Sequence, residues 1–479
     1  MKQILNYING QFFPSSTGQV LDVYNPALGE VYCHAPDSSD DDLEKAIFAA
    51  EEAFPAWSKL SVGDRSQYLN RIANLIDENL EELAIAESED NGKPLALARR
   101  VDIPRASSNF RFFAQAITQF SSQSHEMTDA INYTLRQPLG VVSTITPWNL
   151  PLYLLSWKIA PALAAGNTVI AKPSEVTPMT AFILSQLVSE AGLPPGVLNI
   201  VHGNGASVGP LLTTHPKIKA ISFTGSTRVG KEIATVAAPL FKKISLEMGG
   251  KNPNIIFADA NYDKMLQTTI RSSFANQGQI CLCGSRIFVE RPIYEKFKKD
   301  FVEKTKKLRL GAPAHKDTKV GAIVSKPHYD KILSYIELAK EEGGEILVGG
   351  NAAKPQGHEN GWFIEPTIIE GLAHDCRTNQ EEIFGPVVSI MPFDTEEEVL
   401  MYADSTDYGL ACTIWTENLT RAHRMAKSIH SGIVWINTWL QRDLRTPFGG
   451  MKSSGVGREG GEEVLRFFTE PKNICIKYS

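Results

Sequence analysis

The chain has 479 residues, enough for two or three domains at about 150 residues each. Hydrophobic residues make up 43% and charged residues 21%, and the net charge of −6 comes without a long basic run, which argues against nucleic-acid or anionic-membrane partners. Six cysteines, with Cys33, Cys376, Cys412 and Cys475 far apart, form no disulfide framework, and the polar start MKQILNYINGQFF is no secretory signal, so a cytoplasmic protein with reduced thiols is expected.

In chain order, YINGQF carries the Asn-Gly signature of a tight hairpin. Leu43, Ile47, Ala50 and Phe54 recur at helical spacing behind an Asp-rich first turn. A longer helix through Leu69, Ile72, Leu75, Ile76, Leu80 and Leu83 should end near Gly92. The apolar stretch from Leu150 to Ala171 holds Pro151, Lys158, Pro161, Gly166 and Asn167, which fits a core segment rather than a membrane span. GVVSTITP, NTVIAKP, VLNIVHG and AISFTGS read as short buried strands alternating with helices such as TAFILSQLVSEAG. That alternation predicts an α/β fold with a parallel sheet covered on both faces. Past Glu247 a second series begins with NPNIIF, a helix from Asp263 to Phe274, SRIFVE and a Lys-rich helix, and KNICIKY reads as a late strand.

NQGQICLC places Cys281 and Cys283 one residue apart. A zinc site needs further Cys or His ligands nearby, and a disulfide across one residue is strained, which leaves buried small hydrophobes or one reactive thiolate. Gly278 permits close backbone approach, and the polar residues before the cysteine suit a loop facing a ligand. Glu247 in LEMGGKNP closes an apolar strand, where desolvation raises a carboxyl toward general-base range. Asn149, between the prolines of TPWNLP, offers an amide donor to an oxyanion; a plain turn Asn is the alternative. VHGNGASVG follows a strand and precedes a helix, but its G-x-G-x-x-x-G spacing is one residue longer than the dinucleotide fingerprint. Gly225 and Ser226 of FTGS form a second such turn, and Lys172 and Glu175 of AKPSE stand at another strand end where they could grip a ribose.

Taken together and in order, PWNLP, KPSE, FTGS, LEMGGKNP, NQGQIC, EEIFGPV and PFGGMKSSG resemble the NAD(P)-dependent aldehyde dehydrogenase superfamily over essentially the whole chain. Within it, DIPR, NFRFFA, PWNLPLYLL, SSFANQGQICLC and PFGGMKSSGVGREG look most like the 2-aminomuconate and 2-hydroxymuconate semialdehyde dehydrogenases. The resemblance implies a Rossmann-like NAD-binding domain (residues 1–117 and 137–247), an α/β catalytic domain (248–448), and a small β extension (118–136 and 449–479) that makes a homodimer or homotetramer. It places Cys281 on the nucleophile, Glu247 on the general base, Asn149 on the oxyanion donor and Lys158 near the proton path. NAD would be held by Thr146, Pro147, Trp148, Lys172, Ser174, Glu175, Gly205, Gly209, Phe223, Gly225 and Ser226, with Glu382 and Phe384 at the nicotinamide ribose. Cys283 matches no catalytic position, and no metal is implied.

The implied activity is oxidation of an aldehyde to its acid with NAD, through a cysteine thioester, on 2-aminomuconate 6-semialdehyde or a related semialdehyde. Arg105 and Arg442 stand where carboxylate anchors are expected, with Arg445 a nearby competitor. Other readings are a dehydrogenase of an aliphatic, betaine or other aldehyde, a coenzyme-A-acylating enzyme, or a non-catalytic crystallin-like protein on the same fold.

Overall fold

The computed structural model describes residues 2–478. Two sheets dominate. In the first, parallel strands Lys243–Glu247, Ile218–Thr224, Val141–Ile145, Thr168–Lys172 and Leu198–Ile200 lie side by side in that order. Val141–Ile145 is first in sequence among these five and sits in the middle, so the strand order reverses beside it. In open parallel sheets such a reversal leaves a crevice at the strand carboxyl ends where ligands bind. The hairpin Asn6–Ile8 and Gln11–Phe13 extends this sheet at one edge, turning through Asn9 (φ 51°) and Gly10 (φ 77°). Both residues are left-handed, as the Asn-Gly pair predicts.

The second sheet is parallel through Thr367–Glu370, Val387–Phe393, Gly284–Glu290, Asn252–Ile256, Ala411–Trp415 and Ile433–Ile436, with Glu345–Val348 antiparallel at one edge. Only residues 248–251 separate Glu247, last in a strand of the first sheet, from Asn252, first in a strand of the second. The carboxyl edge of one sheet therefore meets the amino edge of the other. A third, antiparallel sheet joins Ser124–Glu126 and Ala130–Pro138 to the late strand Thr469–Lys477, which forms its edge. Between residue 448 and that strand, Met451–Lys452 pairs with Tyr408–Gly409, and Gly455–Val456 pairs with Lys243–Glu247.

The helices follow the apolar spacing with one difference. The long helix expected through Leu83 is two, Val62–Glu78 and Leu80–Asn91, broken at Asn79 (φ −103°, ψ 21°), whose side chain donates to the Leu75 carbonyl. Such local side-chain bonds compete with helix propagation. Gly92 then ends the second piece at φ 79°. Pro151–Ala164 is buried on nearly every side and packs as core. Among the described residues no helix is long and apolar enough to cross a membrane.

Candidate active site

Cys281 lies just before strand Gly284–Glu290, at the amino edge of the second sheet. The preceding loop is held in an unusual conformation: Asn276 (φ 50°), Gln277 (φ 57°) and Gly278 (φ 72°) are left-handed in succession. A Cβ at Gly278 would stand 2.0 Å from the Gly385 carbonyl oxygen, so only glycine fits. Asn276 donates to the carbonyls of Asn149 (3.0 Å) and Gln279 (3.2 Å), Gln277 to that of Ala322 (2.8 Å), and the Gln279 side-chain oxygen accepts from Val324 N (3.1 Å). All three side chains are fully buried. The polar run is therefore a scaffold that over-determines a strained loop, where the sequence had pointed to a ligand-facing surface.

Cys281 is shared by two hollows. One, a cavity of about 290 Å³, is walled by Glu247, Met248, Leu150, Tyr153, Trp439, Arg442 and Phe448 among others. The other, much smaller, is bounded by Gly250, Lys251, Glu382 and Phe384. Burial raises the Cys281 thiol, and the carboxylates Glu382 and Glu247 raise it further, with Arg442 pulling the other way. At neutral pH the resting group is therefore the thiol, and attack on an aldehyde requires its proton to leave. Cys283 is buried, its own thiol also raised chiefly by burial, and it lines only the smaller hollow.

Glu247 is 3% exposed, and its Oε1 has no hydrogen-bond partner. Burial raises its carboxyl well above the ordinary range, and Glu459 adds to this against Lys158, Arg458 and Arg442. A Cβ at Gly449 of the PFGG segment would come within 2.8 Å of Oε1, so glycine leaves the carboxylate room. Such a carboxylate can take a proton from a thiol or a water near neutral pH. Asn149 is buried and donates one amide N–H to the Gln279 carbonyl (3.0 Å), which aims the side chain at the cysteine loop.

Two features here were not legible in sequence. Lys158 is buried in an ion pair with Glu459 (2.5 Å) and also donates to Ser222 Oγ (3.0 Å); Glu459, hidden in GVGREGG, lines the larger cavity. Behind Asn149, Lys93 Nζ reaches Asp102 (2.9 Å), Glu87 (3.3 Å) and the Asn149 carbonyl (3.2 Å), while Glu87 accepts from Leu152 N (3.3 Å). The three charged groups have no exposure and hold the turn 149–152 from the inside.

The three arginines separate clearly. Arg442 lines the cavity, donates to the Tyr153 hydroxyl (2.6 Å) and lies 3.9 Å above the Phe448 ring. Arg105 sits 5.5 Å from the Tyr153 ring, one residue removed from that wall. Arg445 is bound to Asp443, is 80% exposed and faces a different groove.

The dinucleotide candidates gather at the carboxyl edge of the first sheet. Ile145 pairs with Lys172 and with Phe223, and Thr224 with Glu247, so the ends of four strands stand in one row. Thr146, Pro147 and Trp148 leave the first of these, and Trp148 meets Phe384 edge-on at 5.3 Å, which joins the row to the Glu382 loop. Lys172 is paired with Glu175 (2.7 Å); burial would raise the Glu175 carboxyl, but Lys172 and backbone donors bring it below its ordinary range. Ser174 accepts from Val176 N (3.2 Å). Gly205 opens helix Gly205–Thr214 with Gly209 one turn in, and Ser226 caps helix Thr227–Ala237 by accepting from Val229 N (3.3 Å). Two helix amino ends near the row suit anionic phosphates. Gly225 has the Phe223 ring where a Cβ would go, at 2.4 Å. Glu382 accepts from Gly250 N (2.9 Å), with Gly249 leaving room for its carboxylate.

A profile of the aldehyde dehydrogenase family matches residues 12–474. The chain is 52% identical to 2-aminomuconic semialdehyde dehydrogenase of Bos taurus, over 99% of this chain and 98% of that one. It is 45% identical to 2-hydroxymuconic semialdehyde dehydrogenase of Pseudomonas sp. (strain CF600), over the full length of both. The solved NAD+ complex of an aldehyde dehydrogenase from Bacillus cereus superposes with a TM-score of 0.97 at 38% identity, covering 100% of this chain and 97% of that one. With a sequence match spanning both sheets and the third, the chain belongs to the aldehyde dehydrogenase family.

Proposed function

We propose that this protein oxidises a muconate-type semialdehyde, 2-aminomuconate 6-semialdehyde or a close analogue, to the corresponding acid with NAD. The observation that carries this reading is Arg442: a guanidinium in the wall of the Cys281 cavity, held by a tyrosine hydroxyl and an aromatic face, with no carboxylate of the described residues within ion-pairing distance. A cation so placed fits the distal carboxylate of a semialdehyde. Arg105 supports it from behind Tyr153. The full-length relatives named for muconic semialdehydes point the same way.

In the mechanism, the Cys281 thiol gives up its proton as sulfur bonds to the aldehyde carbon, with Glu247, a buried carboxyl in the wall of the same cavity, as the acceptor. The oxyanion is held by the free N–H of the Asn149 amide and the Cys281 backbone N–H. NAD, when bound, supplies the acceptor for the hydride that the carbon loses. Glu247 passes the thiol proton on to solvent and then takes one from water, whose oxygen displaces the cysteine sulfur as thiolate; the sulfur regains a proton as the acid is released. The Lys158–Glu459 pair, through its charges, sets how readily Glu247 holds that proton. Lys172 and Glu175 would hold the adenosine ribose, the helix ends at Gly205 and Ser226 the phosphates, and Glu382 with Phe384 the nicotinamide ribose. The exposed edge Thr469–Lys477 supports a homodimer or homotetramer through strand pairing, and six free cysteines fit a reducing cytoplasm.

The test is NADH formation with 6-oxohexanoate against hexanal, equal in length and differing in the carboxylate. The acid should be preferred in kcat/KM by about tenfold or more, the worth of one charged hydrogen bond. Arg442→Ala should erase the preference. A wild-type enzyme indifferent to the carboxylate would refute the substrate class and leave the aldehyde dehydrogenase.

A further inference from the structure

Arg271 lies near the end of helix Tyr262–Phe274, whose chain runs on through the strained loop to Cys281. It lines the same cavity as Cys281 and Arg442, but its side chain is exposed. Its Nη2 donates to the Trp439 carbonyl (3.2 Å), and its guanidinium lies 5.6 Å from the Trp439 ring. Trp439 is itself fixed, 2% exposed and donating its indole N–H to the Leu282 carbonyl (2.9 Å). No carboxylate of the described residues lies within ion-pairing distance of Arg271, so its charge is free to act on a ligand of the cavity it lines.

The backbone around its anchor is also unusual. Asn437 (φ 53°) and Leu440 (φ 60°) are both left-handed, and they frame the turn that presents Trp439, Leu440 and Arg442 to the cavity. A leucine adopts that conformation only when its surroundings enforce it. This loop therefore fixes two guanidiniums at one cavity: Arg442 beside Tyr153, and Arg271 through the Trp439 carbonyl.

We infer that Arg271 is a specificity-determining cation at the mouth of the cavity, which draws carboxylate-bearing aldehydes toward Cys281 before Arg442 takes the carboxylate. The inference rests on the substrate class proposed above. An exposed charge acts over a distance and is screened by salt, unlike the sheltered Arg442. Its contribution belongs in capture of the substrate, hence in KM and in kcat/KM at low ionic strength.

The experiment compares wild type, Arg271→Gln and Arg271→Lys on 6-oxohexanoate and hexanal, at low salt and at about 1 M salt, where screening reaches within ~3 Å. Arg271→Gln should lower the acid-to-neutral ratio of kcat/KM about three- to tenfold at low salt, through KM rather than kcat. The difference from wild type should shrink toward unity at high salt. Arg271→Lys should keep most of the ratio, because charge and not the planar fork is required. A wild-type ratio in the Gln variant, with wild type favouring the acid, overturns the role of Arg271 and leaves the substrate class standing. Equal losses in the Gln and Lys variants, unaffected by salt, overturn it as well, since they mark packing against Trp439. A wild type with no preference removes the substrate class and this inference with it.

Discussion

Replacing Glu247 by Gln keeps the shape of the side chain and removes the proton acceptor. Glu247 is 3% exposed, its Oε1 is unpartnered and it faces the cavity of Cys281, so no bulk water takes over its role. A positioned general base contributes about 10²- to 10⁴-fold, or ~3–5 kcal/mol of barrier. Steady-state turnover should fall by that factor. The acyl enzyme should then accumulate, so mixing enzyme with NAD and aldehyde gives a burst of NADH approaching one per active site, followed by a slow phase. Because Glu247 also accepts the thiol proton, the burst itself should form more slowly than in wild type. The same substitution has a stability consequence of opposite sign. The folded state holds the Glu247 proton well above the ordinary 4.5, so it binds more protons than the unfolded chain above that value, and stability falls as pH rises through the window up to the raised pKa. Gln has no proton to lose, so the unfolding midpoint at pH 8 should rise relative to wild type, the difference vanishing toward pH 4. Steady turnover at the wild-type rate, or a midpoint lowered at pH 8, would refute the assignment of a buried, proton-holding base.

Three further outcomes follow from the geometry. Cys281→Ala should abolish turnover while Cys283→Ala keeps most of it, because Cys283 lines only the smaller hollow; equal loss in a steady-state assay would contradict this. NAD should be preferred over NADP in kcat/KM, since the Glu175 carboxylate repels a 2′-phosphate, and Glu175→Gln, which frees Lys172, should narrow the ratio. Lys93→Met leaves Glu87 and Asp102 buried without their cation and should cost about 3–5 kcal/mol, read as a lowered unfolding midpoint; a midpoint unchanged at neutral pH would show that the two acids are already neutral.

How much of this was legible in sequence depends on whether the signal is local. The hairpin at Asn9-Gly10, the helix stop at Gly92 and the apolar strands Val141–Ile145 through Ile218–Thr224 need only neighbours in the chain, and the sequence alone determined them. The candidates Cys281, Glu247 and Asn149 came from several motifs read together and in order, since each residue alone also fits a plain structural role. The break at Asn79 was invisible because the apolar spacing continues across it, while the cause is a side-chain bond to one carbonyl. The buried polar run before Cys281 read as ligand-facing because its partners, the carbonyls of Asn149 and Ala322 and the N–H of Val324, come from distant segments. The sequence put Arg105 and Arg442 forward, left Arg445 as a competitor and did not mark Arg271; tertiary structure set Arg442 in the cavity wall, Arg105 against the Tyr153 ring, Arg271 on the exposed side of the cavity and Arg445 against Asp443 in solvent. The physical reason is common to all: a charge acquires its role from what desolvates or neutralises it, and those groups are brought together by the sheets rather than by the chain.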